Sequence, residues 1–249
     1  MRSKTLAILI VLLSIAANLQ ANPSRINLIC DSWPPYQIVE HGQVTGFSTE
    51  VVRNVLSKMA VEINGLESVP WKRAMVMIKE GDADGLFSIN YSKERAIFAH
   101  YPQHAIANSP WVIWVRDKDN LGIKSLEDLK GKTIGIVRGY SYTSEFFDFI
   151  KTQASSDEVT SDEQNFLKLH AERVDAIVAE LGNGLYILNK LGYQNISPLL
   201  DAPIKTDGLY IIFNKTNISK TFADAFSTEL GKFKSDPLYK KLYDKYFSF

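Results

Sequence analysis

Strand-like and helix-like stretches alternate along almost the whole of this chain, and no other feature restricts its fold as much. Ile26 to Cys30 is a short apolar run that predicts a strand. Val51, Val52, Val55, Leu56 and Met59 then recur at helical spacing. Trp71, Ala74, Met75 and Ile78 do so again, in a repeat that stops at Glu80-Gly81. Gly85 to Ile89 predicts a strand, and Trp111 to Val115 a stronger one entered through Pro110. Thr133 to Val137 reads as a buried strand running into Arg138-Gly139, with a helix expected from near Ser141. Beyond it come a helix over Glu163 to Ala171, a short strand over Ala176 to Ala179, and a helix through Leu185, Leu188 and Leu191 that stops at Gly192. Leu209 to Phe213 is the last strand, and the tail is helical with a restart at Ser235-Asp236-Pro237. Such alternation predicts an α/β fold with parallel sheets and helices on both faces.

Two charged or polar turns divide the pattern. Asp117 to Asn120 follows the Trp111–Val115 strand, and Asn214 to Asn217 follows the Leu209–Phe213 strand in the same manner. Strands that cross between two lobes would make the middle of the chain one lobe and join its two ends into the other. The expected division is residues 22–113 with 210–249 in lobe 1, and 114–209 in lobe 2. Ligands of such sheets sit at the carboxyl ends of strands and at helix N-termini, here between the lobes.

Charge excludes some functions. Of the 249 residues, 28 are Lys or Arg and 28 are Asp or Glu, so no basic excess recruits nucleic acid or anionic lipid. The N-terminus has the layout of a secretory signal peptide: basic Met1-Arg2-Ser3-Lys4, an apolar stretch from Leu6 to Ala17, and a cut after Leu19-Gln20-Ala21. A membrane anchor would need about 20 apolar residues. Removing residues 1–21 takes away Arg2 and Lys4, leaving 26 cations against 28 acids, a net of −2. Cys30 is the only cysteine, so no internal disulfide forms, and it reads as a small buried strand residue. The expectation is an exported, soluble, periplasmic protein.

The stretch Ser88-Ile89-Asn90-Tyr91-Ser92-Lys93-Glu94-Arg95 carries the chemistry. It places hydroxyl and amide groups before an arginine at the end of a strand, which offers one small anion a planar cation and several hydrogen-bond partners. Other constellations are missing. His100 and His104 have the spacing of a helical metal pair, but Pro102 between them forbids a regular helix. There is no Gly-rich phosphate loop and no Gly-x-Ser-x-Gly turn. Neither a metal nor a cofactor is expected.

From Ile26 to Phe247 the chain resembles the bacterial family-3 extracellular solute-binding proteins, the polar-amino-acid receptors of import systems. The resemblance is carried by Asp31-Ser32-Trp33-Pro34-Pro35-Tyr36, Gly46-Phe47, Gly81-Asp82-Ala83-Asp84-Gly85, Ser125-Leu126-Glu127-Asp128-Leu129-Lys130-Gly131-Lys132 and Arg173-Val174-Asp175-Ala176-Ile177-Val178, in that order. It implies the two-lobe, type II periplasmic-binding fold: a mixed, mostly parallel sheet flanked by helices in each lobe, with two crossing strands as hinge.

The resemblance also implies roles. Arg95 matches the arginine that holds a ligand carboxylate, with Ser88 and Asn90 as small polar contacts beside it. Gly139-Tyr140-Ser141 matches a second-lobe loop that meets the carboxylate at a helix start, with Tyr140 replacing a small residue and Ser141 also readable as an N-cap. Glu180 falls where amino-acid receptors carry an Asp for the ligand ammonium. Trp33, Tyr36 and Trp71 match aromatic positions that sandwich a ligand side chain; Tyr36 reads more as core, as do Trp111 and Trp114. Arg73 is either a second anion contact or an exposed helix charge. The function implied is a monomeric receptor that captures one small polar solute by lobe closure and delivers it to an inner-membrane ABC permease. Two alternatives are a cyclohexadienyl dehydratase-like enzyme using Glu180 as general acid, and a ligand-sensing partner of a membrane sensor.

Overall fold

The computed structural model describes residues 23–247; the expected signal segment, residues 1–21, lies outside the described residues. The chain opens with β1 (Arg25–Cys30), a small hairpin of β2 (Ile38–Glu40) and β3 (Gln43–Thr45), and α1 (Phe47–Lys58). Then come β4 (Glu62–Ser68), α2 (Trp71–Glu80), β5 (Gly85–Ile89), the single turn α3 (Arg95–Phe98) and β6 (Ala99–His100). The long strand β7 (Ala107–Arg116) leads to β8 (Thr133–Val137), α4 (Ser144–Gln153), β9 (Ser155–Val159), α5 (Asp162–His170), β10 (Ala176–Glu180) and α6 (Leu181–Leu191). The chain closes with β11 (Ile196–Pro198), a second long strand β12 (Lys205–Asn214), α7 (Lys220–Lys234) and α8 (Pro237–Phe247).

The strands lie in the order β4-β1-β5-β12-β7-β10-β8-β9. Pairing is parallel toward both ends, where β1 joins β4 and β5, and β8 joins β9 and β10. It turns antiparallel around the two long strands. In β12, Tyr210–Phe213 pairs with β5, while Lys205–Leu209 pairs with Ala107–Trp111 of β7. The continuation of β7 pairs with β10. These two strands therefore carry the sheet from one lobe to the other. The first lobe is built on β1, β4 and β5, and the second on β8, β9 and β10.

Each half has apolar clusters on both of its faces. Ile26, Leu28 and Phe87 face α1 and α7, while Ile29, Leu86 and Ile212 face α2. In the second lobe, Ile113, Ile134 and Val178 face α4, and Trp114, Ile177 and Ala179 face α5 and α6. Burial on both faces explains why β5 and β10 are apolar without alternation. Cys30 is buried and free, its thiol pushed up to about 12 mainly by burial.

Local chemistry sets the element ends. Glycines in the left-handed region close α2 at Gly81 (φ 87) and α6 at Gly192 (φ 69). Thr143 Oγ1 accepts the Phe146 N–H at 3.1 Å, so α4 begins at Ser144, three residues past Ser141. The cap belongs to Thr143, which corrects the expectation that Ser141 stands at the helix start. Both long strands extend past their apolar runs into polar residues, of which Ser109, Arg116 and Asn214 are nevertheless buried. Polar edge strands such as β4 and β9 carry too little apolar periodicity to be read from sequence.

Candidate functional site

Between the lobes lies a narrow cleft, partly open to solvent. Its first wall is the end of β5. Ser88 sits in the left-handed region (φ 61), rare for a residue with a Cβ, and its hydroxyl takes a hydrogen bond from Gln37 Nε2. Asn90 Nδ2 donates to the Gly208 carbonyl at 3.2 Å, tying this wall to β12.

Arg95 stands over this wall. Its Nη1 donates to the Asn90 carbonyl at 3.1 Å, and its guanidinium lies 5.5 Å from the Trp71 ring centroid. From the first lobe its Nη2 also reaches Ser141 Oγ in the second, at 3.4 Å. Among the described residues Arg95 is in none of the ion pairs. A half-buried guanidinium without a carboxylate partner is ready to take an anion.

The second wall is the loop after β8. Gly139 turns the chain at φ 84, and Tyr140 and Ser141 line the cleft. Tyr140 Oη donates to Asp162 Oδ2 at 3.1 Å, and Trp33 Nε1 donates to the same oxygen at 3.3 Å. Burial pushes the Asp162 carboxyl up to about 6, against these two hydrogen bonds. Trp33 stacks on Tyr36 (centroids 4.9 Å apart) and on Trp111 (6.2 Å), while Tyr140 meets Trp111 edge-on at 5.6 Å. Trp33, Trp111 and Tyr140 make the apolar floor, with Tyr36 buried behind them.

Of the residues singled out in the sequence, Ser88, Asn90, Arg95, Trp33, Trp71, Gly139, Tyr140 and Ser141 line this one cleft. Glu180 and Arg73 do not. Glu180 is 1% exposed. Its Oε1 accepts the Tyr36 phenol at 2.8 Å, and its Oε2 accepts the Asn183 N–H at 2.8 Å. The longer arm of a glutamate folds back onto the first turn of its own helix, so the carboxylate caps α6 instead of entering the cleft. Burial, with a smaller contribution from Asp162, raises it to about 7. Arg73 lies on the exposed face of α2, two residues beyond Trp71 and so on another side of the helix.

Several residues were missed. Trp111, read as core, is buried but also lines the cleft; Asp31 and Gln37 line it as well. Asp31 directly follows β1, a strand-end position that could have marked it. Its carboxyl is pushed up by burial, opposed by the N–H groups of Ser32 and Trp71. Nothing local distinguishes Asp162 from an ordinary first-turn acid of α5.

The sequence matches the family described as bacterial extracellular solute-binding proteins, family 3, over residues 26–249. The L-arginine-binding protein of Pseudomonas aeruginosa is 25% identical, covering 98% of this chain and 95% of that protein. An ancestral arginine-binding protein solved with arginine superposes with a TM-score of 0.76 at 20% identity, over 91% of this chain and 100% of the other. An ancestral amino-acid-binding protein described as a precursor of cyclohexadienyl dehydratase does so with a TM-score of 0.75 at 18% identity, over 90% and 95%. With a match spanning both lobes and the cleft between them, the chain belongs to the bacterial extracellular solute-binding proteins of family 3.

Proposed function

We propose that this receptor captures a small carboxylate-bearing, amino-acid-like solute by closing its lobes, and passes it in the periplasm to an inner-membrane ABC permease. It acts as a monomer whose lobes are residues 22–113 with 210–249, and 114–209. Ala107–Trp111 and Lys205–Leu209 pair with each other, and beyond them β12 pairs with β5 and β7 with β10, which supports a hinge there. The observation that carries the reading is Arg95: a guanidinium with no carboxylate partner among the described residues, which lines the cleft and already touches Ser141 of the opposite lobe. A carboxylate on Arg95 and Ser141 would contact both lobes at once, so it would favour the closed form. Asp31 offers the same solute a negative group in the same cleft. The name of the Pseudomonas aeruginosa relative supports an amino acid.

The enzymatic reading needs Glu180 as a proton donor. Its carboxyl is raised to about 7, a suitable range. Both oxygens are nevertheless bonded, and the group is outside the cleft lining, which favours a receptor. Calorimetry of the mature protein against amino acids and organic acids tests the proposal, alongside turnover of prephenate and arogenate. Saturable binding without turnover is expected. Turnover abolished by Glu180→Gln would reverse the conclusion.

A further inference from the structure

Lys205 pairs across the sheet with Trp111, and its ammonium lies 5.2 Å from the Trp111 ring centroid. The side chain is only 10% exposed. Its Nζ donates to the Ser141 carbonyl at 2.5 Å and pairs with Asp207 at 3.0 Å. From the first lobe, Arg95 Nη2 donates to the hydroxyl of the same serine. Both oxygens of Ser141 are thus held by cations, one on the hinge strand and one across the cleft. Tyr140 anchors the middle of the loop on Asp162, while Gly139 before it has φ 84 with nothing within 4 Å of a would-be Cβ, so the two cations are what hold Ser141 itself.

We propose that Lys205 is a positioning residue for the ligand carboxylate, an inference that rests on the carboxylate reading of the cleft. Acting through Ser141, it fixes the loop so that the hydroxyl meets Arg95 when the lobes close. Its charge also works at a distance. Asp207 is 41% exposed and offsets the ammonium only in part, while Arg95 has no ion-pair partner among the described residues. Bringing the two cations to one serine costs repulsion, and an anion held beside Ser141 removes that cost. Closure is thereby coupled to the ligand's negative charge, and solutes lacking a carboxylate gain nothing from it.

The mature chain carrying Lys205→Met, which keeps the aliphatic stem over Trp111, is compared with Lys205→Arg and the wild type. The probes are L-arginine, L-glutamate and succinate, titrated at low and at high salt, and amide hydrogen exchange is followed over residues 139–142. Lys205→Met is expected to speed exchange severalfold and weaken the tightest-binding probe about tenfold, more at low salt than at high, with Lys205→Arg restoring both. Unchanged affinity in Lys205→Met, whether or not the loop loosens, overturns the role, as does failure of Lys205→Arg to rescue. If no probe binds the wild type, the carboxylate reading itself falls.

Discussion

The Tyr36 phenol donates to Glu180 Oε1 at 2.8 Å, joining residues 144 positions apart across the two lobes. Close by, Asn183 Nδ2 donates to the Pro34 carbonyl, and Trp33 Nε1 donates to Asp162. The Trp33–Gln37 turn of the first lobe is therefore fastened to the starts of α5 and α6 in the second. Tyr36→Phe keeps the ring stack but removes the phenol donor from Oε1 of a buried carboxyl, leaving the backbone N–H contact at Asn183 in place. It should lower unfolding free energy by about 1–3 kcal/mol, measured by urea denaturation. An unchanged midpoint would mean that this bond contributes nothing.

Two buried carboxyls make stability depend on pH in an unusual direction. Glu180 is raised from 4.5 to about 7, and Asp162 from 3.8 to about 6, in both cases mainly by burial. Between the unfolded and folded values the folded state binds more protons, so this contribution to stability falls as pH rises. The loss runs from near 4.5 to near 7 for Glu180 and from near 3.8 to near 6 for Asp162. Thermal melts across that window should show wild type losing stability relative to Glu180→Gln and Asp162→Asn. Parallel curves for all three would refute the assignment.

Arg95 supplies the anion contact in the proposed site. Arg95→Ala should weaken the best carboxylate ligand by about 1.5–3 kcal/mol in calorimetry. Arg95→Lys keeps a charge but loses the planar fork above Trp71, so it should recover only part of the affinity. Full affinity in Arg95→Ala would remove the residue from the site.

Gly46 controls the turn that carries Trp33 and Tyr36. It has φ 105, and a Cβ there would lie 2.5 Å from the Tyr36 carbonyl oxygen and 2.9 Å from that of Pro35. Backbone cannot yield as a flexible side chain would, so Gly46→Ala should cost about 2 kcal/mol or more. Gly42 also has a positive φ, 77, but nothing lies near its would-be Cβ. Gly42→Ala should cost about 1 kcal/mol. Equal denaturation midpoints for the two variants would contradict this account.

Much of this was written locally. The apolar runs of β1, β5, β8 and β10, and the helical repeats of α1, α2 and α6, follow from which faces must be buried. The order of short polar groups before Arg95 and the Gly139–Ser141 loop also marked residues that meet in one cleft, since strand ends and turns place side chains by sequence position alone. Where a long side chain points is another matter. Glu180 is the last residue of β10, yet its carboxyl turns to Asn183 and Tyr36, where two donors meet it at 2.8 Å. Trp111 is both core and wall, a distinction that depends on Trp33 stacking against it from the other lobe. Asp162 and Lys205 gain their meaning only from partners far along the chain. Periodicity reports burial one element at a time; contacts made between lobes have no local signature, and tertiary packing alone decides them.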